Sequence, residues 1–91
     1  MRFDFDPKKS RANLERHGVD FAAAQQLWEG PHVIVPAKYV AGENRFAILG
    51  KIHSRCYVAI FTERGETIRM ISCHRADKKW ERKFHEHFEE I

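Results

Sequence analysis

Arg64, Arg69 and Arg75, spaced along and just beyond one strongly β-prone stretch, are the residues of this chain whose type and placement best fit a chemical task. A guanidinium presents paired N–H donors that match two oxygens of a phosphate, so arginines held on one sheet would gather an anion. His74 stands beside Arg75, and histidine is the side chain that titrates nearest neutral pH, which suits it to move a proton. His17 and Lys9 are alternatives for that role. Lys9, Asn13, Arg16 and His17 recur at i, i+4, i+7 and i+8, one face of a helix. That face is either a solvated polar stripe or a row of groups directed at a phosphate. His17, just before Gly18, could equally cap the negative end of its helix, and Arg69 could serve in a sheet-surface ion pair.

Other chemistries find little support. The sequence has no Walker loop, no GxGxxG, no HExxH and no paired CxxC. His85 and His87 are two apart on a helix and point to different sides, and Cys73 and His74 alternate across a strand end, so no convergent metal ligand set is expected. Neither cysteine has a histidine placed beside it as a base for nucleophilic attack. The reading therefore includes no metal and no other cofactor.

Charge is unevenly distributed. The chain of 91 residues carries a net charge of +3. Residues 1–43 balance six basic against six acidic side chains, residues 44–75 hold six basic and two acidic, and residues 76–91 hold four basic and five acidic. A central segment at +4 within a balanced chain points to a polyanion, RNA or DNA, although a solvated basic face without a partner has the same composition.

The elements that must position these groups can be read from local signals. Residues 55–75 form a β-hairpin, with β-prone runs on either side of Glu63-Arg64-Gly65. A three-residue loop with Thr62 facing Glu66 puts Cys56, Val58 and Ile60 with Ile68, Met70 and Ser72 on a core face. The other face then holds Tyr57, Ala59 and Phe61 beside Thr67, Arg69 and Ile71, leaving a floor open to a ligand next to Ala59. Cys56 and Cys73 then lie on opposite faces as free thiols. Upstream, Arg2 to Phe5 can form a short strand. Asp6, Pro7 and Gly18 bracket a helix from Pro7 to about His17. A second helix is capped by Asp20, stapled by Val19 and Ala24, and stopped by Gly30-Pro31 after Phe21, Leu27 and Trp28 have faced the core. Val33–Val35 between two prolines reads as an edge strand, and Arg45–Ile52 as a further strand turning at His53-Ser54. Asp77 caps a last helix with Trp80, Phe84, Phe88 and Ile91 at helical spacing. The fold class is α+β: one domain over 1–91, a mainly antiparallel sheet with two N-terminal helices and one C-terminal helix. No signal-peptide run or membrane span is present, so a cytoplasmic location is expected, with no membrane partner.

The opening FDFDPKKSRANLERHGVDF resembles the Asp-Pro-x-Lys-x-x-x-Asn-x-x-x-His-Gly-Val signature of the BrnT toxins of type II toxin–antitoxin modules. GENRFAILG, FTERG and IRMISCHRA resemble later blocks of that family in the same order, over almost the whole chain. The matching positions are Asp6, Lys9, Asn13, His17, Gly18, Glu43, Arg45, Thr62, Arg64, Gly65, Arg69, Ser72, Arg75 and Ala76. His74 stands where the family usually has an arginine, and Phe84 where its final helix often has a tyrosine. The resemblance implies a RelE-like fold and metal-independent endoribonuclease activity that arrests growth. It further implies neutralisation by a BrnA-like antitoxin carrying a DNA-binding domain, with operator DNA reached through that antitoxin and oligomers formed only with it.

Metal-free RNA cleavage needs a base for the ribose 2′-OH, an acid for the leaving 5′-oxygen and cations for the charge that develops on phosphorus. The residues assigned to catalysis are Arg64, Arg69, His74 and Arg75, and those assigned to RNA contact are Lys9, Asn13, His17 and Arg45. The same basic sheet face is where an antitoxin would bind. Two other readings are a nucleic-acid-binding module without catalysis and a partner-binding domain that uses its aromatic last helix.

Overall fold

The computed structural model describes residues 1–89. It runs β1 (Arg2–Asp4), α1 (Pro7–His17), α2 (Phe21–Ala24), a 3₁₀ turn (Gln25–Trp28), β2 (Val33–Val40), β3 (Glu43–Ile52), β4 (Arg55–Arg64), β5 (Thr67–Arg75) and α3 (Lys78–Glu89). Ile91, the last member of the expected aromatic stripe, lies outside the described residues. The fold is α+β, with one mixed sheet in the order β1-β5-β4-β3-β2. The strands β2 to β5 form an antiparallel meander and β1 pairs in parallel with β5. No described helix is long and apolar enough to cross a membrane.

Local chemistry accounts for the helix ends. Asp6 accepts from the Lys8 N–H at 2.8 Å and opens α1, while Gly18, at φ 75°, ends it by donating its N–H to the Leu14 carbonyl at 2.9 Å. Asp20 caps α2 through the Ala23 N–H at 2.8 Å, and Asp77 caps α3 through the Trp80 N–H at 3.0 Å. The second helix is shorter than its sequence suggested, one α turn tightening into the 3₁₀ turn. That turn rests directly on β3. A Cβ at Gly50 would stand 3.2 Å from Leu27 Cδ2 and 3.3 Å from its carbonyl oxygen, so the absent side chain sets how closely the two elements approach.

The central hairpin departs from its expected register. Its loop is the two-residue Gly65-Glu66, with Arg64 facing Thr67 and Thr62 facing Arg69. Gly65 at φ 62° takes the first loop position, where a two-residue turn of this kind needs positive φ. Higher up, Ile60 faces Ser72 while Phe61 faces Met70, so Ile71 is an extra residue, a β-bulge. The bulge reverses the alternation of β5. Ile68 and Met70 before it, and Cys73 after it, share one face with Phe61 and Ala59. Cys56 lies in the opposite core, so the two thiols are free and on opposite faces as expected, with Cys73 facing Ala59 and Ser72 facing Ile60 in register.

Both sheet faces carry a core, which overturns the single core face and the open floor beside Ala59. Beneath α2 and the 3₁₀ turn, Phe21, Leu27, Ile48, Ala59, Phe61 and Met70 are buried. Trp28 packs edge-on against Phe61 and against Phe3. Beneath α3, Ala47, Leu49, Cys56 and Val58 meet Phe84, with Trp80 and Phe88 half-buried at either side. β2 is an edge strand as expected but runs on through Pro36 to Val40, irregular between Pro36 and Tyr39.

Candidate nucleic-acid interface and active site

The sheet face under α3 is covered only over part of its length. Beyond Ile60, the paired rows Arg45–Thr62–Arg69–Asp4 and Arg64–Thr67–Arg2 continue on that same face, with Glu43 joined to Arg64 by its side chain. Thr62 is buried and donates its hydroxyl to the Asn44 carbonyl at 2.8 Å, closing the floor between Arg45 and Arg69. Arg45, Arg64 and Arg69 converge there with Lys9 from α1 in a cleft of about 140 Å³, with Glu43 on its wall.

Two of these cations have carboxylate partners. Arg64 donates to both oxygens of Glu43, at 3.1 and 3.3 Å, and Arg69 donates to Asp4 at 2.8 Å. The pairs are solvent-exposed, so a phosphate can replace either carboxylate at little cost. Lys9 and Arg45 have no ion-pair partner among the described residues. The Arg64 hydrogen bond holds the Glu43 carboxyl below its usual range and raises the Arg64 guanidinium in turn. Asp6 is lowered chiefly by the Lys8 N–H, with Lys9 and Arg69 adding their charge.

A second cleft, of about 340 Å³, adjoins the first between α1 and β5. Lys9 and Ile71 line both, and Asn13, Arg16, His17 and Ser72 line the second. Its geometry depends on Asn13, which is buried. The carboxamide donates to the carbonyls of Val19 and Cys73, both at 2.7 Å, and accepts from the Cys73 N–H at 3.3 Å. β1 pairs with β5 only over residues 67–69, so this side chain takes over where the neighbouring strand ends and satisfies an edge backbone that would otherwise be orphaned. Ser10, also buried, accepts from the Phe21 N–H at 2.9 Å. Asn13 is thus turned inward, while Lys9, Arg16 and His17 remain exposed on the same helix.

His17 and His74 approach to 5.8 Å between ring centroids. His74 Nδ1 lies 2.9 Å from the Arg75 carbonyl oxygen, so Nδ1 carries the proton that is donated there and Nε2 is left free. The four residues assigned to catalysis do not meet. Four residues of β5 lie between Arg69 and His74, roughly 16 Å over five steps of about 3.3 Å, more than one phosphate can bridge. Arg75 alternates to the face opposite His74 and pairs with Tyr57; neither residue lines a cleft, and His74 reaches the second one only through its approach to His17. The structure instead brings Arg64 and Arg69 to Lys9 and Arg45, and His74 to His17. Sequence reasoning assigned no role to Arg16 beyond its place on the helix stripe and missed Asp4 altogether. The only signal for Asp4 would have been the parallel pairing of β1, which leaves no local trace. No group of three or more His, Cys, Asp or Glu side chains is placed to hold a metal among the described residues.

Comparison with curated proteins gives no match. Residues 5–79 match the model of BrnT, the ribonuclease toxin of type II toxin–antitoxin systems. The matched span includes α1, both clefts and the whole of β2 to β5, and on that match the chain belongs to the BrnT family of ribonuclease toxins.

Proposed function

We propose that this protein is a metal-independent endoribonuclease of RelE-like fold, and that the RNA backbone runs along the two joined clefts. The observation that carries the reading is Lys9, a cation lining both clefts and so linking the arginine end to the histidine end. Arg45, Arg64 and Arg69 bind backbone phosphates flanking the cleaved bond, and the scissile phosphate lies beside Arg16, His17 and His74. One imidazole, neutral, takes the proton of the ribose 2′-OH. The 2′-oxygen then attacks phosphorus and the bond to the 5′-oxygen breaks, while the second imidazole, protonated, gives its proton to that leaving oxygen. The products are a 2′,3′-cyclic phosphate and a 5′-hydroxyl. Arg16 faces the charge that develops on the phosphoryl oxygens.

The family reading extends to regulation. A BrnA-like antitoxin with a DNA-binding domain neutralises the toxin in the cytoplasm and connects it to operator DNA, and the toxin oligomerises through that complex. The test is incubation of the purified protein with RNA in EDTA and analysis of the ends produced. Cyclic phosphate ends, lost in both His17→Ala and His74→Ala, support the reading; RNA left intact, or activity that chelator removes and a metal restores, rejects it. RNA binding without cleavage is the second reading, favoured by the separation of the histidines from Arg69. It predicts RNA retention that falls in Arg69→Ala with no product from the wild type.

A further inference from the structure

We infer that the toxin carries a second, apolar docking groove whose occupant is an acidic amphipathic segment of the antitoxin, an inference that rests on the toxin–antitoxin reading. The groove, of about 440 Å³, lies between the outer part of β2 and the first turns of α3. It is lined by Ala37, Lys38, Val40, Arg45, Ile60 and Trp80. It exists because α3 covers only part of its sheet face. Phe84 is buried against the sheet, whereas Trp80 is half-buried and Ile60 beside it is left partly bare. β2 loses its regular pairing with β3 between Pro36 and Tyr39, so Ala37 and Lys38 bow out to form the far wall.

The lining indicates the occupant. Ala37, Val40, Ile60 and the Trp80 ring offer apolar surface that a phosphodiester backbone cannot use. The ionised groups at the margin are cationic: Lys38, Arg45, and Lys83, whose ammonium stands 5.9 Å from the Trp80 ring centroid. A partner segment that fits would place aliphatic or aromatic side chains inward and carboxylates along the rim. β2 is also the free edge of the sheet, so an extended segment could pair with its backbone.

Arg45 lines this groove and the phosphate cleft alike. A carboxylate of the docked segment that pairs with Arg45 therefore withdraws one of the two cations that have no ion-pair partner in that cleft. Neutralisation becomes competitive with RNA, although the apolar anchor lies outside the RNA path.

The experiment uses the cognate antitoxin, identified by rescue of growth on co-production, titrated against wild type and Val40→Glu, Ala37→Glu and Lys38→Glu. RNA cleavage and melting are measured on each free variant. Ala37 and Lys38 are exposed, so their variants remain informative should Val40→Glu lose stability. All three should weaken antitoxin binding, Val40→Glu and Ala37→Glu by 100-fold or more, with free cleavage within twofold of wild type. Amide exchange in the complex should show protection across 35–40. Unchanged affinity in all three variants overturns the inference. So does loss of RNA binding in Val40→Glu with antitoxin binding intact, since that would make the groove an RNA surface. If wild type binds antitoxin through these residues but cleaves no RNA, the groove stands and the ribonuclease reading fails.

Discussion

α1 and α3 lie against the same sheet and are attached by opposite means. α3 is held by a buried Phe84 between the half-buried Trp80 and Phe88, with Phe84 and Phe88 rings 4.7 Å apart, an attachment by apolar area. α1 buries only Ser10 and Asn13, and its one leucine, Leu14, is 47% exposed. It is held by four hydrogen bonds through two side chains, two between Asn13 and the Cys73 backbone of β5 and two to Val19 and Phe21 at the entry to α2. Apolar packing tolerates small sliding of one surface on another, whereas hydrogen bonds of 2.7 Å fix position and rotation together. The polar attachment therefore suits the helix that must hold Lys9, Arg16 and His17 at set places along a groove. It also frees the rest of that helix to be charged.

Breaking the apolar attachment should have the largest effect on stability. Phe84→Ala leaves a cavity at the centre of the α3 contact and should cost about 3–5 kcal/mol, seen as a large fall in melting temperature that takes ribonuclease activity with it. Trp80, half-buried on the rim of a groove, should cost less than Phe84.

Breaking the polar attachment should separate stability from activity. Asn13→Ala leaves the Cys73 N–H and the carbonyls of Val19 and Cys73 without partners, at roughly 2–3 kcal/mol. Activity should fall well beyond what the unfolded fraction explains, because α1 loses its register on β5. Exchange of the Cys73 amide should accelerate in the same variant. Activity that simply follows the folded fraction would show that α1 needs no fixed position.

The two thiols sharpen the comparison, one under each attachment. Burial pushes the Cys73 thiol up from its ordinary 9.0 to about 12, and burial also raises Cys56. A folded-state value above the unfolded one means that the stabilisation is complete below pH 9.0 and is lost as pH climbs towards 12. Alkaline unfolding should begin in that interval and be blunted in Cys73→Ala, and at pH 8 alkylating reagents should label neither thiol quickly. At the acid end the sign reverses. Asp6 and Glu43 lie below their ordinary 3.8 and 4.5, so their contribution is present above those values and disappears as pH falls past them.

The smallest effect on stability should come from the cleft itself. Arg64→Ala removes an exposed ion pair and should leave the melting temperature near wild type while weakening RNA binding about tenfold, 1.4 kcal/mol being a factor of ten. Glu43→Gln should do the reverse to RNA and tighten it, since the carboxylate that competes for Arg64 is gone.

What could be read in the sequence was whatever is decided within a few residues. Asp6, Pro7 and Gly18 mark the ends of α1, and Asp20 and Asp77 are caps, because capping is settled by the chain on either side of one turn. The face of Arg69 was misread. It was set beside Ala59, whereas it faces Thr62, on the face of Arg45 and Arg64, because the turn closes over two residues, Gly65-Glu66, and not three; the Ile71 bulge lies beyond Arg69 and shifts only the residues after it, with no glycine or proline to announce it. Asn13 was hidden for another reason. A polar residue on a polar helix reads as solvated, and its burial depends on an edge of β5 that β1 leaves uncovered 60 residues away in sequence.

His53 and Ser54, the turn between β3 and β4, both sit at positive φ, 51° and 68°, without being glycine. Such conformations cost side-chain-bearing residues about 1 kcal/mol each, and at many sites the strain serves a binding loop. Here it lies at the far end of β4 from Arg64, ten residues and roughly 30 Å from the arginine cleft. The strain is therefore ballast, and the turn is the place to engineer a hardier protein. His53→Asn with Ser54→Gly supplies the pair this turn geometry favours, and should raise the melting temperature while leaving the rate of RNA cleavage as it is.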